Sequence, residues 1–316
     1  MQIKAADDIQ PKVHALEALL SRPDVDARTR DGIEQEIQNV RRGASGEGDA
    51  SYAIEFEYGK NQNRMTIHDL RIEVDGRVAQ IDHLIINRLL DIWVCESKNF
   101  AGGVAINEHG EWVAIYGRNR YGIPSPVEQN RRHIAVLADV FAKGIVPLPR
   151  RLGITINPQL SSLILVSNQA QIIRPKARAA AQVDGLDSVI KVDQLRAKVE
   201  KAFDKRSIAA YAKAVSQETL ETFARQLAAL HVPAYFDWAA KFGLPPVAPK
   251  PPIPQLDPPR ASSPRNRRTS SKRPVCAECG RVLSNAVILF CQTNPGRFGG
   301  ATYCMDCQKQ VGSVRR

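Results

Sequence analysis

The sequence predicts a mixed α/β fold, a central sheet flanked by helices, with a tether and a small metal-held tail behind it. Three observations predict this. Short runs of strand character alternate with capped, helically spaced segments as far as about Phe242, the pattern of a layered α/β domain. Residues 244–275 then gather ten of the chain's 20 prolines, and seven Lys or Arg against one Asp. Two Cys-x-x-Cys pairs follow, 24 residues apart. The expected organisation is N-terminal helices over 1–42, an α/β domain over 43–242, a Pro-rich basic linker over 243–274 and a zinc ribbon over 275–316.

In the N-terminal segment Val13, Leu16, Leu19 and Leu20, then Ile33, Ile37 and Val40, recur at helical spacing, so two short helices are expected. No chemistry accompanies them. Gly43 and Gly46 oppose a helix interior. The next helix is therefore expected to begin near Glu47, with both glycines in its entry turn. Glu47 then has two readings, an acidic group stabilising a helix N-terminus or a carboxylate aimed at the sheet.

Residues 65–74 read as a strand leading to a turn at Asp75-Gly76. Two further strands, 80–86 and 92–98, are joined by a turn at 87–91 and are symmetric about Leu89. Asp82 and Glu96 each lie seven positions from Leu89, so this register sets them opposite one another. Directly paired like charges are destabilising, and a divalent cation between them removes the penalty. Lys98 shares that face, two residues beyond Glu96. The competing reading of Glu96-x-Lys98 is a surface ion pair on a strand. Gly102-Gly103 is expected to end the strand run, and residues 105–115 supply more strand around a His109-Gly110 turn.

Ser125, Pro126 and Glu128 open a well-marked helix. Ile134, Leu137, Ala138 and Phe141 follow at helical spacing, and Gly144 closes it. Gln129 and His133 share a stripe beside its core face, where His133 reads more readily as a partly buried, hydrogen-bonded residue than as a ligand. Residues 160–166 and 188–192 are apolar runs suited to strands. Asp193 and Ser216 are positioned to cap helices, the second carrying Leu220, Phe223, Ala224 and Leu227.

The linker has the composition of a polyproline-like or disordered tether, and its basic half at 264–273 suits phosphates. In the tail, Cys276, Cys279, Cys304 and Cys307 form the ligand set of a tetrahedral structural zinc. Residues 287–290 and Tyr303 look like strand residues, and Cys291 sits between the pairs as a possible alternate ligand. Four thiolates leave no open position, so this metal is expected to fold the tail and perform no chemistry.

The 316 residues carry a net charge of +11 and a pI near 9.5. That balance suits an anionic partner, nucleic acid above all, although charge alone does not separate nucleic acid from anionic lipid. No apolar run approaches the roughly 18–20 residues that span a bilayer, and MQIKAADD lacks the apolar stretch of a signal peptide. The expectation is a soluble cytoplasmic protein without a membrane partner; the sequence leaves its oligomeric state open.

Taken together, GASGE at 43–47, HDL at 68–70, QIDH at 80–83, ESKNFAGG at 96–103 and PVEQNRRH at 126–133 resemble the nuclease-related domain (NERD) family of the PD-(D/E)xK nuclease superfamily. The Pro-rich tether and four-cysteine tail are similar to chains in which that domain is fused to a topoisomerase-like zinc finger. The resemblance implies a restriction-endonuclease-like mixed sheet with Mg²⁺ (or Mn²⁺) on its edge. It makes Asp82 and Glu96 metal ligands beside the Ser97 carbonyl, Glu47 a further acidic contributor, Lys98 the residue beside the attacking water and Gln129 an orienting group. Ser97 stands where threonine is common in relatives and Phe100 where tyrosine is common. The implied function is a metal-dependent nuclease acting on DNA, with the tail binding nucleic acid. Two alternatives remain open: a non-catalytic nucleic-acid-binding module that keeps the fold, and a protein whose tail and N-terminal helices dock onto a DNA-processing partner.

Overall fold

The computed structural model describes residues 1–151, 153–204, 206–207, 211–245, 275–283, 285–294 and 298–311. Residues 246–274, nearly all of the expected linker, lie outside the described residues. The chain divides into two units, Met1–Ala248 and Pro249–Arg316.

In chain order the first unit contains β1 (Gln2–Lys4), α1 (Gln10–Leu20), α2 (Ala27–Tyr58), β2 (Arg64–Val74), β3 (Arg77–Asn87), β4 (Asp91–Lys98), β5 (Gly103–Ile106), β6 (Trp112–Tyr116) and β7 (Asn119–Ile123). There follow α3 (Pro126–Ala142), β8 (Arg150–Arg151), β9 (Ile154–Thr155), β10 (Gln159–Val166), β11 (Gln171–Ile173), α4 (Ala177–Ala180), β12 (Val189–Lys191), α5 (Leu195–Asp204), α6 (Gln217–Ala228) and α7 (Trp238–Lys241). The main sheet has the order β1-β2-β3-β4-β10-β12, and a smaller sheet the order β11-β5-β6-β7. In the main sheet β2, β3 and β4 are antiparallel neighbours, whereas β4, β10 and β12 run parallel. It is the expected mixed sheet.

Side-chain alternation sorts the two faces. Leu84, Ile86, Ile92 and Val94 pack with Leu137 and Val140 of α3 and Leu220 and Phe223 of α6. Ile85, Trp93 and Cys95 pack on the other face with Ile54 and Tyr58 of α2 and Leu195 and Val199 of α5. The second half of strand β10 is covered on both sides, Leu163 and Leu165 on one and Ile164 and Val166 on the other, which is why 163–166 reads as unbroken apolar sequence.

Local chemistry fixes the turns. Asp75 and Gly76 both adopt left-handed backbone, φ 49° and 72°, as a two-residue hairpin turn requires. Asn87 Oδ1 accepts from the amides of Leu89 at 2.9 Å and Asp91 at 3.0 Å, and so forms the turn expected at 87–91. Ser125 Oγ accepts from the Glu128 amide at 3.3 Å, and Ser216 Oγ from the Thr219 amide at 3.1 Å. Both caps are where the sequence places them. Asp193 instead falls in a 3₁₀ turn, and α5 starts at Leu195. Gly103 opens β5 and does not end the strand run: a Cβ there would stand 2.6 Å from the Gln171 carbonyl oxygen.

One expectation fails at α2. No helix begins near Glu47; a single 32-residue helix runs from Ala27 through Gly43, Gly46 and Gly48 to Tyr58. Asp26 caps it, accepting from the Thr29 amide at 2.7 Å. Glu47 is therefore mid-helix, and its reading as an N-terminal charge is withdrawn. Packing explains Gly46, where a Cβ would stand 2.5 Å from Asn99 Cβ, while Gly43 and Gly48 face open space. Gly43→Ala and Gly48→Ala should each stabilise the protein by about 1 kcal/mol through helix propensity. Gly46→Ala should lose that gain to an overpacking cost of about 1–3 kcal/mol. Denaturant melts of the three variants check this, and equal stabilisation by all three would remove the packing account.

The tail is also more helical than expected. Residues 287–290 lie on α8 (Asn285–Thr293), and α9 (Met305–Val311) follows Cys304. Val287 and Ile288 pack against the cysteines, and Cys291, also buried, falls on the same face at helical spacing. A short apolar run does not by itself distinguish strand from helix. The β contribution among the described tail residues is the Val275–Val282 bridge.

Candidate functional site

The hairpin register carries the first two site residues together. β3 and β4 pair as His83↔Cys95, Leu84↔Val94, Ile85↔Trp93 and Ile86↔Ile92, so Asp82 and Glu96 stand one step further along the same register. Asp82 Oδ2 accepts from the Ser97 amide at 2.7 Å. Glu96 is only 2% exposed. Its Oε1 accepts from Lys98 Nζ at 2.5 Å, so the pair is not a surface one. Its Oε2 lies 3.6 Å from His133 Nδ1, and neither buried atom has a hydrogen-bond partner. Gln129, one turn earlier on α3, is near enough for its side chain to lower the Glu96 pKa.

Electrostatics marks the cluster as short of positive charge. Burial raises Asp82 well above its ordinary pKa of 3.8, helped by the charges of Glu96 and Glu47 and opposed by the Ser97 amide. Burial also raises Glu96, against the pull of Lys98 and Gln129. Glu47 on α2 is raised by burial and by Asp69 and Glu96, with Lys12 and Lys98 opposing. His133 moves the other way, lowered to about 4 by burial, Arg132 and Lys98. Its ring is neutral at pH 7.

Asp69 is the residue that sequence reasoning missed. It interrupts β2 with φ 51°, between the pairs His68↔His83 and Leu70↔Ile81, and so stands opposite Asp82. Its carboxylate accepts from Gln80 Nε2 at 3.2 Å and from the Asp7 amide at 3.3 Å. Left-handed backbone is costly for a residue with a side chain and is found where the surroundings hold it. A cavity of about 750 Å³ opens here, lined by Glu47, Asp69, Asp82, Lys12, Tyr52 and Phe236 among others. The N-terminal helices, without chemistry of their own in the sequence, build one wall of it.

Behind the edge runs a buried hydrogen-bond chain. Glu55 Oε1 accepts from Thr66 Oγ1 at 2.5 Å and meets His68 Nε2 at 2.9 Å. His68 Nδ1 meets His83 Nδ1 at 2.8 Å, and His83 Nε2 meets Ser97 Oγ at 2.7 Å. Burial works against the Glu55 carboxylate, but the bonds from His68 and Thr66 win and lower its pKa. An ionised Glu55 accepts a hydrogen bond from His68 Nε2–H, which in a neutral ring leaves His68 Nδ1 bare to accept from His83 Nδ1–H. The bare His83 Nε2 then accepts from the Ser97 hydroxyl. Burial and His68 lower the His83 pKa well below 6.5, in keeping with two neutral rings. Ser97, expected to offer only its carbonyl, is thus held through its hydroxyl as well.

These shifts set a pH dependence. Asp82 and Glu96 hold protons to higher pH folded than unfolded. The folded state therefore binds more protons above the ordinary values of 3.8 and 4.5, and stability falls as pH rises toward the raised values. His83 has the opposite sign: stability falls as pH drops through 6.5, where the unfolded chain takes up the proton. Asp82→Asn keeps an acceptor for the Ser97 amide and should raise the melting temperature of the metal-free protein at pH 7.5. The gain should shrink toward pH 4. A lower melting temperature at pH 7.5 would show that the carboxylate is already compensated.

The oxygens of Asp82, Glu96, Glu47 and Asp69 form a hard donor set that fits Mg²⁺ or Mn²⁺, and the partnerless Glu96 Oε2 fits a role as ligand. They are loosely set. Among the described residues, the only metal-binding groups whose ligand atoms all lie within 4.8 Å of one another are the four tail cysteines, Cys276, Cys279, Cys304 and Cys307. Backbone N–H groups, that of Cys279 first, aim at the Cys276 sulfur and lower its pKa to about 6, as a thiolate ligand needs. This cluster fits a small zinc ribbon. Cys291 stands outside the four and accepts from the Tyr303 amide at 3.4 Å and Gln308 Nε2 at 3.3 Å.

Among known families, residues 42–158 match the model of the nuclease-related domain. The matched residues run from within α2 to beyond β9 and include Glu47, Asp69, Asp82, Glu96, Lys98, Gln129 and His133. No curated protein matches the chain, and no solved structure does. No described helix is long and apolar enough to cross a membrane.

Proposed function

We propose that the chain is a metal-dependent nuclease that hydrolyses phosphodiester bonds in DNA. One observation carries the reading: a buried glutamate with a partnerless oxygen, Glu96, beside carboxylates whose pKa values burial and mutual repulsion push up. Such a set is poised for a cation. Asp82, Glu96 and the Ser97 carbonyl would hold Mg²⁺ or Mn²⁺, with Glu47 as a further acidic contributor. When bound, the ion neutralises phosphate charge and lowers the pKa of its water.

The chain's own groups supply the rest. Lys98 places an ammonium against Glu96 Oε1, where it is able to accompany a water's proton or meet charge developing on the phosphoryl group. Gln129 orients Glu96 from α3. The Glu55–His68–His83 chain holds Ser97, and through it the end of β4. The net charge of +11 and the basic linker favour the DNA backbone, with salt-dependent affinity. The cysteine tail, loaded with Zn²⁺, would hold nucleic acid or a DNA-processing partner.

The test is a cleavage panel over single-stranded, duplex, nicked and flapped DNA and over RNA, with and without Mg²⁺ or Mn²⁺. Metal-dependent cleavage of a DNA member is expected. Binding without cleavage on every member, together with no calorimetric Mg²⁺ site, would favour the non-catalytic module.

A further inference from the structure

A second cavity, of about 630 Å³, lies between α2, the end of β4, the turn after β10 and the start of α5. Two aromatic side chains one helical turn apart on α2 stand over it, Tyr52 and Phe56, 73% and 76% exposed. Their ring centroids are 6.4 Å apart and the rings are tilted by 33°. Neither contributes to a core. Tyr52 lines both this cavity and the acidic one, and Lys98 lines this one, so the aromatic shelf begins at the edge where the proposed chemistry takes place.

The polar lining points to the occupant. Asn99, Ser167, Asn168 and Gln169 offer neutral donors and acceptors beside the carboxylates of Asp49, Glu57 and Asp193, which disfavour a phosphate. Asn168 Oδ1 already accepts from the Asp193 amide at 3.0 Å, and the buried Ser167 hydroxyl has no hydrogen-bond partner. Arg196 is tied to Glu57 at 3.1 Å, and Lys98 to Glu96. Neutral amides and a hydroxyl beside exposed rings suit a nucleobase, with its flat face and mixed hydrogen-bonding edge, and not a phosphate. Bases within a duplex have their faces stacked and their edges paired, so only an unstacked nucleotide offers both to such a shelf.

We propose that Tyr52 and Phe56 form a stacking platform for unpaired bases next to the scissile phosphate, and that the substrate of this site is single-stranded nucleic acid. The proposal rests on the nuclease reading for its location but is tested by binding alone. Fluorescence anisotropy of the zinc-loaded full chain, with no Mg²⁺ or Mn²⁺ added and no chelator, compares a labelled oligothymidylate dodecamer, its abasic counterpart and a duplex of the same length. Tyr52→Ala and Phe56→Ala should each weaken binding of the dodecamer about tenfold, within the range for loss of one base–aromatic stack. Tyr52→Phe, which keeps the ring, should bind as the wild type does. The abasic strand should bind the wild type and the double alanine variant equally weakly, and duplex affinity should not move.

Unchanged dodecamer affinity in the double variant would overturn the proposal. So would equal losses for duplex and single strand, or a wild-type dimer in sedimentation that the double variant abolishes, since the shelf would then be an interface between copies. If Asp82→Ala and Lys98→Ala leave cleavage unchanged while the stacking result stands, the nuclease reading fails alone.

Discussion

Replacing Lys98 with alanine is expected to reduce metal-dependent DNA cleavage by about 10²–10⁴-fold, the range for losing a positioned proton-transfer group or a charge-stabilising donor. Affinity for uncleaved DNA should remain close to the wild-type value, because Lys98 is one cation among 44 Lys and Arg. Two losses combine. The ammonium leaves the reacting edge, and Glu96, already raised by burial, loses the partner that most strongly lowers its pKa. Glu96 is therefore protonated to higher pH and binds a cation less well, so raising the pH or the Mg²⁺ concentration should recover part of the loss. Lys98→Arg should recover little, since a planar guanidinium does not replace a point charge set 2.5 Å from Glu96 Oε1. Single-turnover cleavage with parallel binding measurements separates these outcomes. Lys98→Ala and Asp82→Ala variants that cleave as the wild type does would end the assignment.

Stripping metal from the tail should have an equally large effect at the other site. Apparent binding free energies of structural zinc reach about 10–16 kcal/mol. The cluster that would gain that energy is small: Leu283, Cys276, Cys304 and Cys307 are its buried residues, with Val287, Ile288 and Tyr303 packed against them. Without the ion, α8 and α9 should unfold, and Cys304→Ser should do the same. Hydrogen exchange resolved by segment measures this. Amides over 276–311 should lose protection while those of the main sheet keep theirs, and elemental analysis should give about one zinc per chain before stripping. A tail that stays protected in a strong chelator would show that packing alone holds it.

The part of the site that was legible in the sequence is the part set by local rules. Asn87 forms its turn from its own side chain, the turn fixes the register, and the register sets Asp82 across from Glu96. Ser125-Pro126 likewise announces α3, which brings Gln129 to the same edge. What escaped depends on contacts between distant segments. Gly46 looks like a helix breaker until Asn99 arrives against it. His133 reads as an ordinary half-buried histidine until Glu96 Oε2 is found 3.6 Å away. Asp69 gives no local sign of its left-handed backbone, and β7, Asn119–Ile123, has only Tyr121 and Ile123 to mark it. The same holds for the helical tail run, whose four apolar residues fit either state.

The two-histidine chain has a further consequence. Its ring protons are enclosed, one held between two nitrogens 2.8 Å apart, so exchange with solvent should be slow enough for each N–H to give its own resonance. The last bond of the chain ends on the hydroxyl of Ser97, whose amide holds Asp82. Anything that shifts Asp82, whether an ion, a strand of DNA or a substitution, pulls on that hydroxyl and is felt ring by ring as far as Glu55 on α2. The protein thus contains a resident spectroscopic probe, able to report events at the edge of the sheet without a label being placed there.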